Sequence, residues 1–275
     1  TWRDGRVFLA GDAAHMTPQF VGQGMNAGVR DAYNLAWKLD AALKGQADDR
    51  LLDSYQRERR PHAKAMIDLS IRMKNFVSTS NPLLGVLRNV ATRTARRTPG
   101  LREFLSEAKF KPRPRYEAGA YFGLPRQRRN GLEGEQLPQP TLADRECQPL
   151  LLDEALGEGY ALIGFAVDPR QSLSAADLQQ LAQLNTRYLT LYPAGGRPQG
   201  KAAASTPAGL SEWEDMSGEC IRRFREAGYA EGTVAIVRPD RFVFAMAKPG
   251  TTQPAVHSLL EQLGLQAATR QHEAS

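Results

Sequence analysis

The sequence predicts an α/β protein built in two parts, and three observations carry that prediction. Near the start, the apolar run Arg6-Val7-Phe8-Leu9-Ala10-Gly11 is followed by a polar Gly- and Pro-containing loop, and then by apolar residues at helical spacing. Between Pro112 and Pro140 the composition turns to Pro, Gly, Arg and Gln, with Pro112, Pro114, Pro125, Pro138 and Pro140 breaking any regular element. Beyond that stretch, short apolar runs alternate with helical patterns to the end of the chain.

Taken in order, residues 6–11 read as a strand buried in a sheet covered on both faces. From Met25, apolar residues recur at 25, 29, 32, 36, 39 and 43, which predicts a long helix with that stripe toward a core and Gly45 as its stop. Trp37, Tyr33 and Leu39 are expected in the core. A second helix is expected from Asp49 toward Lys74, burying Leu51, Leu52, Tyr55, Met66, Leu69 and Met73, with Pro61 kinking or splitting it. A third, Arg-rich helix is expected from Pro82 to Arg97.

The second part predicts a strand near Thr141, a helix near Leu151 and a strong strand over 160–167. A helix over 175–184, a strand over 188–192 and a helix over 218–227 follow. Strands over 233–237 and 242–247, joined by the turn Arg238-Pro239-Asp240-Arg241, precede a last helix over 254–263. The boundaries drawn from this pattern are 1–111 for the first domain, 112–139 for a linker and 140–275 for the second domain.

The composition sets limits on function. The 275 residues, 41% apolar and 24% charged, suit ordinary soluble domains, and no apolar run approaches the ~20 residues that span a bilayer. Cys147 and Cys220 stand far apart, so neither a disulfide framework nor a zinc cluster is indicated, and a reducing cytoplasm fits. His62, His257 and His272 have no metal-ligand spacing. The net charge of +6 is spread along the chain, densest from Arg88 to Arg115, where it reads as a solvated helix face and linker rather than a nucleic-acid arm. The chain begins with Thr1 rather than Met and its first strand runs by Arg6, which reads as a piece of something longer.

The chemistry gathers between residues 11 and 26. A strand ending in Gly11-Asp12 presents a carboxylate at a sheet edge, where Asp12 can accept from a sugar hydroxyl. Gly22 and Gly24 let backbone lie against a flat ring, and Pro18 stiffens the approach. A helix that starts at Gly24 aims its first free N–H groups into the loop, where an anion or polarised carbonyl would sit. His15 reads as a hydrogen-bonded structural residue behind the loop, and Arg30 and Asp31 as helix-surface or helix-to-sheet ion pairs.

Together, Gly11-Asp12-Ala13-Ala14-His15, Pro18, Gly22-Gln23-Gly24-Met25-Asn26 and Asp31-Ala32-Tyr33-Asn34-Leu35-Ala36-Trp37-Lys38-Leu39 resemble the class A flavoprotein aromatic hydroxylases. The likeness is closest to the 3-(3-hydroxyphenyl)propionate hydroxylase branch. It implies an α/β fold made of the C-terminal strand and helices of an FAD-binding domain, followed by a thioredoxin-like domain. It implies FAD as cofactor, with Asp12 on the ribityl chain, Pro18 and Gly22 in the loop, and Gly24, Met25 and Asn26 offering N–H groups to the pyrimidine edge. Gln19 and Phe20 would face the substrate; relatives often carry a second proline where this chain has Gln19. It further implies hydroxylation of a phenolic ring with NAD(P)H and O2 through a C4a-hydroperoxyflavin, and no catalytic side chain is assigned within these residues.

A redox-active thioredoxin-like domain would carry Cys-x-x-Cys after the strand over 160–167, and Ala166-Val167-Asp168-Pro169-Arg170-Gln171 has no cysteine. A structural role for that domain, including a homodimer contact, follows. Gly-x-Gly-x-x-Gly, the dinucleotide-binding signature, is absent, because its third glycine after Gly22-Gln23-Gly24 falls at Ala27. The partners expected are therefore an aromatic substrate and an N-terminal half of the same protein, and these residues alone should have little or no turnover. The alternative reading is a non-catalytic thioredoxin-like interaction or dimerisation module.

Overall fold

The structure is a computed structural model describing residues 1–18, 22–98, 100, 103, 114–122, 131–198 and 208–265. The fold is mixed α/β, and it divides into two compact units. One comprises residues 1–35 and 55–115, the other residues 36–54 and 116–275. Gln19, Phe20 and the end of the Arg-rich stretch, including Arg102, Lys109, Lys111 and Arg113, lie outside the described residues.

In the first unit, β1 (Arg3–Asp4) pairs antiparallel with β2 (Val7–Phe8). A single 3-10 turn, Gly11–Ala13, leads to a loop and then to α1 (Gly24–Leu43), which belongs to this unit as far as Leu35. Next come α2 (Asp49–Val77), of this unit from Tyr55 onward, and α3 (Pro82–Arg97), the latter capped by Asn81, whose Oδ1 accepts from Leu83 N–H at 3.0 Å. Three expectations are corrected here. The early strand is two residues long rather than six, and Val7 is 64% exposed, because β1 is its sole strand partner among the described residues. Of the two outcomes expected at Pro61, a kink or a split, the split does not occur, since helix α2 runs on through it. It loses one rung there, but Leu51, Leu52, Tyr55, Arg59, His62, Ala63 and Met66 are buried on either side of the proline and hold it in one piece.

The third correction concerns the face of α1. The apolar stripe beginning at Met25 and Val29 is exposed, Met25 at 81%, and Tyr33 stands out with it. In the first unit the buried side is instead Ala27, Asp31, Asn34 and Leu35, equally helical in spacing but laced with polar groups. Asp31 and Asn34 can be buried because each has a hydrogen-bonding partner, as described below. Helix α3 likewise exposes Leu83, Leu87 and Val90 beside its arginines.

The second unit is a three-layer sandwich. Its strands are β3 (Thr141–Ala143), β4 (Pro149–Leu151), β5 (Ala161–Phe165), β6 (Arg187–Pro193), β7 (Leu210–Asp215), β8 (Val234–Val237) and β9 (Val243–Ala247). Among the described residues they form one sheet in the order β4-β3-β7-β6-β5-β8-β9. β5 runs parallel to β6 and β6 to β7, whereas β8 is antiparallel to both β5 and β9. The helices are α4 (Leu152–Leu156), α5 (Ala175–Gln183), α6 (Glu219–Glu226) and α7 (Thr252–Gln262).

Alternation along β5 explains the layers. Ala161, Ile163 and Phe165 face a core shared with Leu152 and Leu156 of α4 and with Ile221 and Phe224 of α6. Leu162 faces the opposite core, with Leu181 of α5 and Val256, Leu259 and Leu260 of α7. Gly164 is required on β5 for a different reason: a Cβ there would sit 1.8 Å from the Val167 carbonyl oxygen, where the chain doubles back after the strand. β4 and β7 were not foreseen in the sequence. The segment Leu210-Ser211-Glu212-Trp213-Glu214-Asp215 reads as charged, yet it joins the sheet because its acids are spent. Glu212 pairs with Arg145 and accepts from the Tyr192 hydroxyl, Glu214 accepts from Arg197 N–H, and Asp215 accepts from the N–H groups of Cys220 and Ile221 at the start of α6.

Candidate cofactor site

The turn between β2 and α1 is built by glycine. Gly11 adopts a φ of +57°, a left-handed conformation that costs other residues strain. A Cβ on Gly28, one turn into α1, would meet the Gly11 Cα at 3.4 Å, so the 3-10 turn lies directly against the helix. Gly22 also has a positive φ, +61°, and among the described residues, its chain neighbours and the helix's own backbone aside, no atom lies within 4 Å of the place a Cβ would take on it or on Gly24. The backbone on that side is open to a flat ligand.

The structure places the expected residues as follows. Asp12 sits on the 3-10 turn, exposed, with no hydrogen-bond or ion-pair partner among the described residues. Gly24, Met25 and Asn26 form the first turn of α1, where the N–H groups have no carbonyl one turn earlier in the helix to bond to. Pro18 is half-buried in the connecting loop. The close approach of Gly11 to Gly28 brings the Asp12 turn and the start of α1 to one side of the unit. Gln19 and Phe20 fall outside the described residues, so no position is assigned to them. The unpaired Asp12 carboxylate can accept from hydroxyl groups, and the first turn of α1 can donate N–H groups. This donor and acceptor set fits the sugar-alcohol chain and ring edge of FAD.

Beneath the turn lies a buried polar cluster that the sequence reading did not assemble. Asp31 of α1 is fully buried, and its Oδ2 accepts from Gly11 N–H at 3.0 Å and lies 2.6 Å from His15 Nε2. Its Oδ1 accepts from Arg59 Nε of α2 at 2.7 Å, and Arg59 Nη2 donates to the Ala27 carbonyl at 3.2 Å. Asn34 donates to Glu58 at 2.8 Å in the same interior. His15 is the structural residue expected from the sequence, with Trp2 stacked on its ring at 5.2 Å. His62 was assigned no role, yet its Nδ1 lies 3.3 Å from Arg59 Nη1, and burial, with Arg59 and Arg30 nearby, lowers its pKa to about 4. A usable signal existed in the sequence: Ala27, Asp31, Asn34, Leu35 and Lys38 repeat at helical spacing as well as the apolar set does.

In the second unit, Ala166 to Gln171 after β5 is held by Arg170, which donates to both oxygens of Asp168 and lies over the Tyr188 ring at 5.8 Å. Although burial opposes it, Arg170 keeps the Asp168 carboxyl below the usual range. Cys220 is wholly buried, and burial followed by the Asp215 charge drives its thiol pKa up, while Cys147 is exposed. Among the described residues, no group of His, Cys, Asp or Glu could hold a metal ion, and no helix is long and apolar enough to cross a membrane.

Comparisons with known proteins bear on the cofactor. A family described as an FAD binding domain matches residues 1–70, and one described as the HcaD C-terminal domain matches residues 134–262. The chain is 36% identical over 264 residues to the 3-(3-hydroxy-phenyl)propionate/3-hydroxycinnamic acid hydroxylase of Escherichia coli strain K12, covering 96% of this chain and 46% of that protein. It therefore spans about half the length of the curated relatives it matches. Among solved structures, the flavin-dependent monooxygenase PieE, in complex with FAD and substrate, superposes with a TM-score of 0.65 at 22% identity, covering 96% of this chain and 48% of that one. Aklavinone-11 hydroxylase, in a ternary complex with FAD and aklavinone, gives 0.61 at 23% identity, covering 96% and 44%. At these identities the structures speak to the fold alone.

Proposed function

We infer the function from one premise: the chain belongs to the FAD-dependent aromatic hydroxylases. The whole protein hydroxylates a phenolic aromatic substrate, with FAD as cofactor and NAD(P)H and O2 as co-substrates. One observation carries this reading, the unpaired Asp12 carboxylate on a glycine turn packed against the N-terminus of α1.

Each residue has a part. Asp12 accepts from a ribityl hydroxyl, which fixes the cofactor laterally. Gly24, Met25 and Asn26 present backbone N–H groups, and the positive end of α1 favours negative charge at the ring edge they meet. Gly22 and Pro18 flank the loop that carries Gln19 and Phe20, the candidates for contact with the substrate. When bound, FAD supplies the redox chemistry, taking hydride from NAD(P)H and activating O2. The residues of this chain bind it, orient it and stabilise charge on it.

The domain boundary is placed within residues 112–139. Met25, Val29, Leu83, Leu87 and Val90 of the first unit are exposed apolar side chains, of the kind that an N-terminal half of the same protein would cover. That half would supply the dinucleotide-binding element. The order β9-β8-β5-β6, with one parallel and two antiparallel pairings, supports a thioredoxin-like reading of the second unit. Its role is structural or in dimerisation rather than redox, because the segment after β5 has no cysteine and the Cys220 thiol is buried. A cytoplasmic setting fits two free thiols.

The test is substrate-dependent oxidation of NADH or NADPH by the native-length protein, with hydroxylated product identified by mass. Oxidation that rises with 3-(3-hydroxyphenyl)propionate or a related phenolic acid, giving a product heavier by one oxygen atom, supports the reading. A flavin-loaded protein that forms no hydroxylated product with any phenolic acid in a panel overturns it.

A further inference from the structure

We propose that Asp31 is a positioning residue for the flavin: from beneath the turn it sets the spacing between Asp12 and the N-terminus of α1, and through that spacing the affinity for FAD. The proposal rests on the reading of this turn as the flavin site.

A fully buried carboxylate is costly unless every bond it can accept is made. Asp31 meets that condition through groups on three segments: Gly11 N–H from the turn, His15 Nε2 from the loop that follows, and Arg59 Nε from α2. Its own backbone belongs to α1, two turns from the helix start. One side chain therefore ties together the segment that presents Asp12 and the helix that presents Gly24, Met25 and Asn26.

Two limits then define the spacing. Sterics set the inner one, since Gly11 and Gly28 approach so closely that a Cβ on Gly28 would meet the Gly11 Cα at 3.4 Å. The bond from Gly11 N–H to Asp31 sets the outer one, because without it the turn is free to lift away from the helix. The bond fixes the Ala10–Gly11 peptide, and Asp12 follows directly after Gly11, so the turn that presents the ribityl-binding residue is anchored one residue before it. Arg59 steadies the carboxylate in turn, holding Oδ1 with Nε and the Ala27 carbonyl of the same helix with Nη2. A residue that only stabilised the fold would lack this link to Gly11.

The experiment measures FAD affinity by fluorescence titration in the native-length protein, alongside melting temperature. Asp31→Asn keeps the shape but cannot accept from all three donors. It is expected to weaken FAD binding by about 10-fold to 100-fold, the range for losing one charge-assisted hydrogen bond. Glu58→Gln perturbs the same interior away from the turn, and is expected to lower the melting temperature while leaving FAD affinity within about 3-fold. Gly28→Val, whose methyl groups extend beyond a Cβ that would already touch the Gly11 Cα at 3.4 Å, presses on the turn from the helix side and should weaken FAD as well, which keeps the idea testable should Asp31→Asn not fold. FAD affinity unchanged in Asp31→Asn or in Gly28→Val, or falling in Glu58→Gln as far as in Asp31→Asn, overturns the proposal. Asp12→Ala separates the two inferences: if it weakens FAD and Asp31→Asn does not, only the positioning role fails; if it leaves FAD unaffected, the flavin-site reading fails.

Discussion

Lowering the pH should destabilise the first unit through a single buried imidazole, His62. An ordinary histidine titrates near 6.5, and here burial, reinforced by Arg59 and Arg30, brings the value to about 4. The unfolded chain therefore takes up the proton before the folded one does. The stabilisation is fully present above pH 6.5, is lost progressively as the pH falls from 6.5 to about 4, and changes no further below that. At about 1.4 kcal/mol per pH unit across that window, the loss amounts to roughly 3 kcal/mol, a large share of the ~5–15 kcal/mol that holds a domain together. Urea unfolding followed by tryptophan fluorescence at pH 7 and pH 4 measures it, since Trp2 stacks on His15 within the same unit. His62→Gln removes the titration, so the wild type should lose about 3 kcal/mol more than the variant between those two pH values. Equal losses in both proteins would refute the reasoning. The buried Asp177 carboxyl acts in the same direction but at lower pH: burial opposes ionisation, and Ser174, His257 and Gln253 outweigh it, so its contribution goes only as pH falls below the ordinary aspartate range.

Three further outcomes are expected. Gly164→Ala should cost about 4 kcal/mol or more, or prevent folding of the second unit, because its Cβ would overlap the Val167 carbonyl; a melting temperature within a few degrees of wild type contradicts this. In a thiol-reagent titration, Cys147 should react in the native protein and Cys220 only after unfolding; two fast thiols in the native state would contradict the buried position of Cys220. The purified 275-residue chain should show little or no substrate-dependent NAD(P)H oxidation, and steady turnover by that chain alone would show that these residues suffice.

How much was legible in the sequence varied with the physics of each element. The start of α3 at Pro82 was readable, because Asn81-Pro82 is a strong helix-start signal, and its end near Arg97 agrees with where the helical pattern runs out. The starts of α1 at Gly24 and of the hairpin turn at Arg238 were clear for similar local reasons. The core of the second unit was readable from the apolar runs of β5, β8 and β9, each buried on both faces. The charged strand β7 was not, since its place in the sheet depends on partners far along the chain, such as Arg145 for Glu212.

The candidate site is drawn in the sequence by its glycines and by Asp12, because the role proposed for them would demand particular backbone freedom and a particular charge. Its support is not. Hydropathy assigns Met25 and Val29 to a core and Asp31 to solvent, and the described residues do the reverse, because a carboxylate that meets Gly11, His15 and Arg59 is better buried than exposed. Those partners lie 16 to 28 residues away, beyond the reach of any local pattern.

The central claim, that the Asp12 turn and the start of α1 hold FAD, is tested most directly by the flavin content of the native-length protein with and without Asp12. Wild type is predicted to purify with FAD bound, and Asp12→Ala to lose most of it while keeping the same melting profile once apo forms are compared. Equal flavin content in the two proteins would contradict the account.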